Sequence, residues 1–359
     1  MNNATKTIFA SLKAILTNEP SALSAIAPLS SQEWAEVFRL AKAHGVVAIV
    51  LDAVSKMPKD TQPPFSIKMQ WIGMADGIEK RYRFQYDTAA EFAAILQQHG
   101  IKTYVMKGLA FSTYYPTPEH RECGDLDCFL ADKFDEGNTI AVEHGARNDG
   151  GDYKHFHLNF KGLTIENHRF LTNFNSTARG KQTERLLQSY IHTANRTIGD
   201  TALQMPSAEF NALFLIKHAQ KHFIDEGINL RHIFDWATLL KAEQNNLDWK
   251  SLYADMEKCR INHFADILTA ICCKYLGLQI TNPDIATTAE HPLTEVLLAD
   301  ILSAQHYTPH RESPVAKAKR ILRRFRRMWT FRTIADESYA TLVWNTFAFS
   351  SYLNRKPNL

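Results

Sequence analysis

The stretch from Lys102 to Leu130, KTYVMKGLAFSTYYPTPEHRECGDLDCFL, restricts the fold more than any other part of the chain. Lys102 to Met106 is a short β-branched and aromatic run, the pattern of a buried strand. It breaks at Lys107-Gly108, where a glycine permits backbone angles that other residues resist and lets a ligand approach the main chain. Leu109 to Tyr115 predicts about two helical turns, ended by Pro116 and Pro118. The chain re-enters a strand at Gly124. Strand alternation then puts Asp125 and Asp127 on one face, with Leu126 and Cys128 on the other.

Two carboxylates on one face repel unless something positive sits between them. A divalent cation is the obvious candidate, since one or two carboxylates completed by phosphates are how Mg²⁺ is held. The plain alternative is a solvated strand end with two ordinary aspartates. A D-x-D alone carries little; the glycine turn one strand earlier makes the combination informative.

Residues 1–100 read as helical. Ser31 is placed to cap a helix whose apolar positions are Trp34, Val37, Phe38 and Ala41, with Glu33 and Glu36 near its positive end. Pro63-Pro64 interrupts the chain, and a long helix follows from about Ser66 to His99, stopped by Gly100. Beyond the D-x-D, Phe134 to His144 reads as a helix and 144–152 (HGARNDGGD) as a turn or loop. Tyr153 to Phe160 and Leu163 to His168 read as a β-hairpin around Lys161-Gly162. Glu166 and His168 share one face of the second strand, and His155 and His157 one face of the first. For His155, His157 and His168 the alternatives are substrate or phosphate contacts, structural histidines, and a Zn²⁺ site with the glutamate. The neighbouring D-x-D favours a hard, oxygen-liganded ion over zinc.

From Ser207 the chain reads as helical: a helix through Phe210, Leu213 and Phe214, then Leu230–Leu240, Asp248–Cys259, Ile261–Leu276, Pro292–Gln305 and Val315–Thr330. His218 and His222 lie four apart on one helical face, and Asp235 sits in the next helix. They form a buried network or border the ligand pocket, a satisfied structural histidine being the default. The segment 315–330 carries Lys319, Arg320, Arg323, Arg324, Arg326 and Arg327 around an apolar face of Ile321, Leu322, Phe325, Met328 and Trp329. Such a helix docks on its own domain, or binds an anionic partner such as RNA or a membrane surface.

The blocks MKG, Arg121, DLD and the later ENH together resemble the bacterial nucleotidyltransferase-fold proteins of the DNA polymerase β superfamily. The resemblance is to a group with a K-G, R-x-x-x-D-x-D and E-x-H pattern, over roughly residues 30 to 260. It implies an α+β fold, in which a small mixed β-sheet core is flanked by an N-terminal helical segment and a C-terminal all-helical region. The divisions it suggests are 1–100, 101–200 and 201–359. It implies that Gly108 cradles a nucleoside triphosphate (ATP first), that Asp125 and Asp127 bind metal, and that Glu166 completes the set. Mg²⁺, or Mn²⁺, is the implied cofactor. Many members have serine after the glycine; here Leu109 takes that place, and Ser112 is the nearest hydroxyl.

Carboxylates around a metal beside a glycine turn and cations suit nucleotidyl transfer from an NTP to an acceptor, with pyrophosphate released. Glu166 is the expected acceptor of the attacking hydroxyl's proton. Lys107 and Arg121 are candidates for neutralising the triphosphate, with Arg121 alternatively an ion-pair partner of Asp125. His168 is a further nucleotide contact. A nucleotide-binding regulator on the same fold, or an RNA-binding module, are the competing classes.

Composition sets the outer limits. With 45% hydrophobic and 22% charged residues, the 359-residue chain reads as an ordinary globular protein. A net charge of +3 is too small to imply a polyanionic partner. Five cysteines without a C-x-x-C pair predict reduced thiols. With no signal-peptide pattern and no run of ~20 apolar residues, a cytoplasmic protein is expected.

Overall fold

The computed structural model describes residues 1–359 except 27, 173–177, 192–195, 226, 286–290, 304–321, 323–324, 335–339 and 341–359. Four helices open the chain: α1 Asn3–Thr17, α2 Ser31–Ala43, α3 Val47–Val54 and α4 Phe65–Gln98. The central part runs β1 Thr103–Val105, α5 Gly108–Ser112, β2 Leu126–Phe129, α6 Phe134–Glu143, β3 Arg147–Gly151, β4 His155–Phe160 and β5 Leu163–His168. It continues through α7 Ala178–Ile191, β6 Arg196–Thr197 and β7 Leu203–Met205. The remaining described helices are α8 Ala208–Asp225, α9 Leu230–Glu243, α10 Trp249–Lys258, α11 Asn262–Leu276, α12 Thr294–Ser303 and α13 Met328–Thr333.

One seven-stranded sheet, ordered β3-β4-β5-β2-β1-β7-β6, forms the centre. It is mixed: β2 runs parallel to β5 and β1 parallel to β7, while the other pairs are antiparallel. With helices before and after it, this is the α+β arrangement expected.

Apolar spacing explains the packing. One face of α4 buries Tyr82, Ala89, Phe92, Ala93 and Leu96 against the sheet residues Leu126, Phe160 and Ile165, positions that recur at helical spacing. A second core joins the N-terminal helices to α9 and α11. Ile8 and Leu12 of α1, Trp34 and Trp71, and Trp236, Phe264 and Leu268 of α9 and α11 belong to one buried cluster. Lys241 Nζ donates to the Leu16 carbonyl across it.

Three expectations are corrected. The cap of α2 is Ser30, not Ser31: Ser30 Oγ accepts from the Glu33 amide and Glu33 returns a bond to the Ser30 amide. Glutamate at the third helical position selects the earlier of two adjacent serines. Arg147–Gly151, read as loop, is strand β3, antiparallel to β4 with an irregularity between Asn148 and Gly150. All five of its residues are exposed. An edge strand with no buried face needs no apolar alternation, so its ladder left no pattern to read. The D-x-D strand starts at Leu126, with Asp125 immediately before it.

Most of the basic segment expected as a helix over 315–330 lies outside the described residues. Within it, Arg327 is buried: its guanidinium donates to both Asp300 oxygens at 2.7 Å and to the Phe223 carbonyl at 2.5 Å. That basic position docks on the protein itself. Among the described residues no helix is long and apolar enough to cross a membrane.

Candidate active site

Strand register builds the site. Asp127 on β2 lies opposite Glu166 on β5, and Phe129 opposite His168. On the other side of β5, His157 faces Glu166 and His155 faces His168. Side chains in register on neighbouring strands point the same way. One row across the sheet therefore reads Asp127, Glu166, His157, and the next reads Phe129, His168, His155. Asp125, two residues before Asp127, extends the same face. The sheet thus brings Asp125, Asp127, Glu166 and His168 together.

The turn after β1 supplies a cation. The Met106 amide donates to the Asp127 carbonyl at 2.9 Å, tying the end of β1 to β2. Lys107 then takes φ +58° and ψ −148°, and Gly108 φ +41°. Positive φ costs a non-glycine residue on the order of 1–3 kcal/mol, and such strain concentrates at functional sites. Here it accompanies a Lys107 side chain whose Nζ lies 2.9 Å from Asp127 Oδ2. His168 Nε2 meets the other oxygen, Oδ1, also at 2.9 Å. At Gly108 an added Cβ would lie 3.6 Å from the Asp125 carbonyl, an ordinary contact. The backbone angle, rather than crowding, is what asks for glycine there.

Helix α4 braces this region from behind. Gln85 Nε2 donates to the Gly124 carbonyl at 2.8 Å, fixing the chain just before Asp125. Tyr82 Oη lies 3.1 Å from Ser112 Oγ, which donates to the Leu109 carbonyl at 2.6 Å. Ser112 is fully buried, so its hydroxyl serves the core and is not brought to the carboxylates. The phosphate contact expected of it is not part of this arrangement.

Charge compensation is uneven across the three carboxylates. Burial pushes Asp127 up, but the Lys107 ammonium and the His168 hydrogen bond outweigh it and hold the carboxyl well below its ordinary range. Asp125 is raised, by burial and then by Asp127. Glu166 is raised by burial, then by Asp127 and Asp125. The repulsion expected of the D-x-D is therefore felt at Asp125 and Glu166, while Lys107 relieves it at Asp127. An oxygen-rich, under-neutralised set of this kind fits a hard divalent cation. Burial brings the His168 imidazole down to about 4 against the pull of Asp127. It brings His155 down to about 2, with help from His168 and Lys154. Lys154, half-buried, is lowered to about 7 by burial, Lys221 and Lys107.

A family model described as an uncharacterised nucleotidyltransferase matches residues 30–277. That span takes in the glycine turn, both aspartates, Glu166 and the helices that close over them. The chain belongs to this nucleotidyltransferase family. No curated protein and no solved structure matches it.

In this member of the family the helical side contributes two contacts to the sheet face. From α8, His218 Nε2 lies 3.2 Å from Lys107 Nζ and 3.0 Å from His222 Nε2. Burial first, then Lys107, keeps His218 well below its ordinary range, so the ring is neutral. Its Nε2 lone pair then accepts from the ammonium. From α9, Asp235 accepts two bonds from Arg121, at 2.8 and 2.9 Å, and a third from Tyr115 Oη at 2.6 Å. Arg121 therefore pairs with Asp235 and not with Asp125. Its remaining nitrogen donates to the Gly108 carbonyl at 3.3 Å. Lys107 as partner of Asp127, Tyr115 and Lys154 were not singled out in these roles from sequence. Only the position of Lys107, directly after a strand and before glycine, was a usable signal.

Proposed function

We propose that the chain transfers a nucleoside monophosphate from an NTP to an acceptor on the face formed by β2 and β5, releasing pyrophosphate. The observation that carries this reading is the parallel register that sets Asp127 beside Glu166, with Asp125 and the Lys107–Gly108 turn adjoining. Asp125, Asp127 and Glu166 would hold Mg²⁺, or Mn²⁺ in its place. When bound, such an ion neutralises charge that builds on the phosphorus oxygens.

The chain's own residues do the rest. Gly108, without a side chain, lets phosphate oxygens approach the main chain. Lys107, shared between Asp127 and His218, adds positive charge at the triphosphate. Arg121 acts at one remove, holding the Gly108 carbonyl while anchored on Asp235. Glu166, its affinity for protons raised by burial and by its neighbours, takes the proton of the acceptor hydroxyl. ATP is the first NTP to test, and the free cysteines suit a cytoplasmic setting.

A second reading, nucleotide binding without turnover, has one observation in its favour. Both Asp127 oxygens are already engaged, by Lys107 and by His168. Incubation with α-labelled NTP, Mg²⁺ and cell extract separates the two. Transfer of α-label to a discrete acceptor supports the first reading; NTP binding with no transferred label supports the second.

A further inference from the structure

Two imidazoles and one carboxylate converge beside the aspartates. Ligand atoms of His155, Glu166 and His168 lie within 4.8 Å of one another, and among the described residues theirs is the one group of three such donors drawn that close. The cause is the hairpin register, which sets His155 directly opposite His168. Their rings meet edge to face with centroids 4.3 Å apart, and His168 Nε2 lies 4.0 Å from Glu166 Oε2.

We propose that His155, Glu166 and His168 form a binding site for a first-row transition-metal ion of the zinc class, adjoining the Asp125–Asp127 set and sharing Glu166 with it. The site stands on donor geometry and does not depend on nucleotidyl transfer.

Donor chemistry selects the ion. Mg²⁺ takes oxygen and keeps its waters, whereas imidazole suits zinc and its neighbours. Two histidines and a glutamate, with a position left open, are a known zinc ligand set. Zinc–ligand distances of about 2.0–2.2 Å give tetrahedral edges of about 3.4 Å, so the donors must draw in by up to about 1.4 Å. Glu166, with 26% of its side chain exposed, has room to turn. In the metal-free protein His168 Nε2 donates to Asp127, so ligation through Nε2 takes the other tautomer, with the proton on Nδ1. His168 Nδ1 lies 3.4 Å from the Phe170 carbonyl, so a proton on that nitrogen has a backbone acceptor while Nε2 carries the ion. A ligating histidine is usually held this way by its second nitrogen. Asp127 Oδ1, 2.9 Å from the same Nε2, stands beside the ion and balances its charge.

The test uses the full chain, stripped of metal and free of nucleotide, titrated with Co²⁺ as a spectroscopic stand-in. The proposal predicts one nitrogen-ligated Co²⁺ per chain, with the strong visible bands of a low-coordinate site, displaced by Zn²⁺ and not by excess Mg²⁺. His155→Ala weakens Co²⁺ binding by at least about tenfold and removes the nitrogen-type bands, whereas Asp125→Asn retains those bands and loses far less affinity. Should His155→Ala fail a metal-free melt, nitrogen hyperfine coupling to Cu²⁺ bound to the parent protein decides the matter without a variant. Weak, oxygen-type spectra, absent nitrogen coupling, or equal loss in Asp125→Asn would overturn the site. Mg²⁺-dependent label transfer is a separate readout, so failure of that activity leaves the Co²⁺ result intact and the reverse also holds.

Discussion

At Asp127 a buried carboxylate receives a bond from an ammonium and another from an imidazole, and this changes what loss of its charge does. A D-x-D read alone predicts relief of repulsion on going to Asn. With Lys107 and His168 in place, Asp127→Asn instead leaves Lys107 without its anion in a largely buried setting. Breaking a buried pair costs about 3–5 kcal/mol when one partner is removed, and Asn, keeping an acceptor, falls at or below the lower end. Asp125→Asn, which removes a charge that Asp127 repels, is neutral or stabilising. Urea unfolding of the two metal-free variants checks this opposite response.

Buried imidazoles also set the pH response. His155, His168 and His232 are held near 2, 4 and 3 by burial, with neighbouring cations adding to it, against about 6.5 when unfolded. Between those limits the unfolded chain binds more protons than the folded one, so stability is fully present above about 6.5 and is lost as pH falls. Asp125 and Glu166, raised in the fold, work in the opposite sense and offset part of the slope. Unfolding free energy measured from pH 7 to pH 4 should fall, and fall less steeply in His232→Gln.

Strand alternation made the shared face of Asp125 and Asp127, and of Glu166 and His168, legible in the sequence. The partnership of Arg121 with Asp235 was not, because it joins residues 114 apart. The backbone of Lys107 was equally hidden, since a positive φ at lysine is imposed by the surrounding fold.

Among the elements, α9 governs the glycine turn through Arg121. Asp235 accepts from Arg121 and Tyr115 while Arg121 reaches the Gly108 carbonyl, so the helix fixes the turn through two side chains. Asp235→Ala strands a buried guanidinium and should cost about 3–5 kcal/mol. Tyr115→Phe removes one bond to a charged group, about 1.5–3 kcal/mol. Denaturation midpoints of the two variants give the comparison, and a cost for Asp235→Ala no larger than for Tyr115→Phe would discount the network. The long helix and the hairpin were readable from periodicity and from Lys161-Gly162. Edge strand β3 and the two- and three-residue strands β6 and β7 were not, being too polar or too short to carry a period.

Across the whole molecule the sheet and the helices play separate parts. The sheet presents the carboxylates and imidazoles, while α8 supplies His218 beside Lys107 and α9 supplies the Asp235 anchor of Arg121. Helix α1, outside the span of the family match, still belongs to the core that holds α9 and α11. Leu12→Ala, at a position 1% exposed, should cost about 2–5 kcal/mol. It should shift a single transition if α1 unfolds together with α9 and α11, as followed by tryptophan fluorescence and far-UV circular dichroism. The central claim is that Asp125, Asp127 and Glu166 act jointly as the seat of metal and nucleotide. It is tested most directly by thermal melts of the parent and Glu166→Gln, each with and without Mg²⁺ and ATP. A ligand held by that set raises the parent's midpoint through mass action and raises the variant's far less. Equal shifts in the two proteins would contradict the assignment.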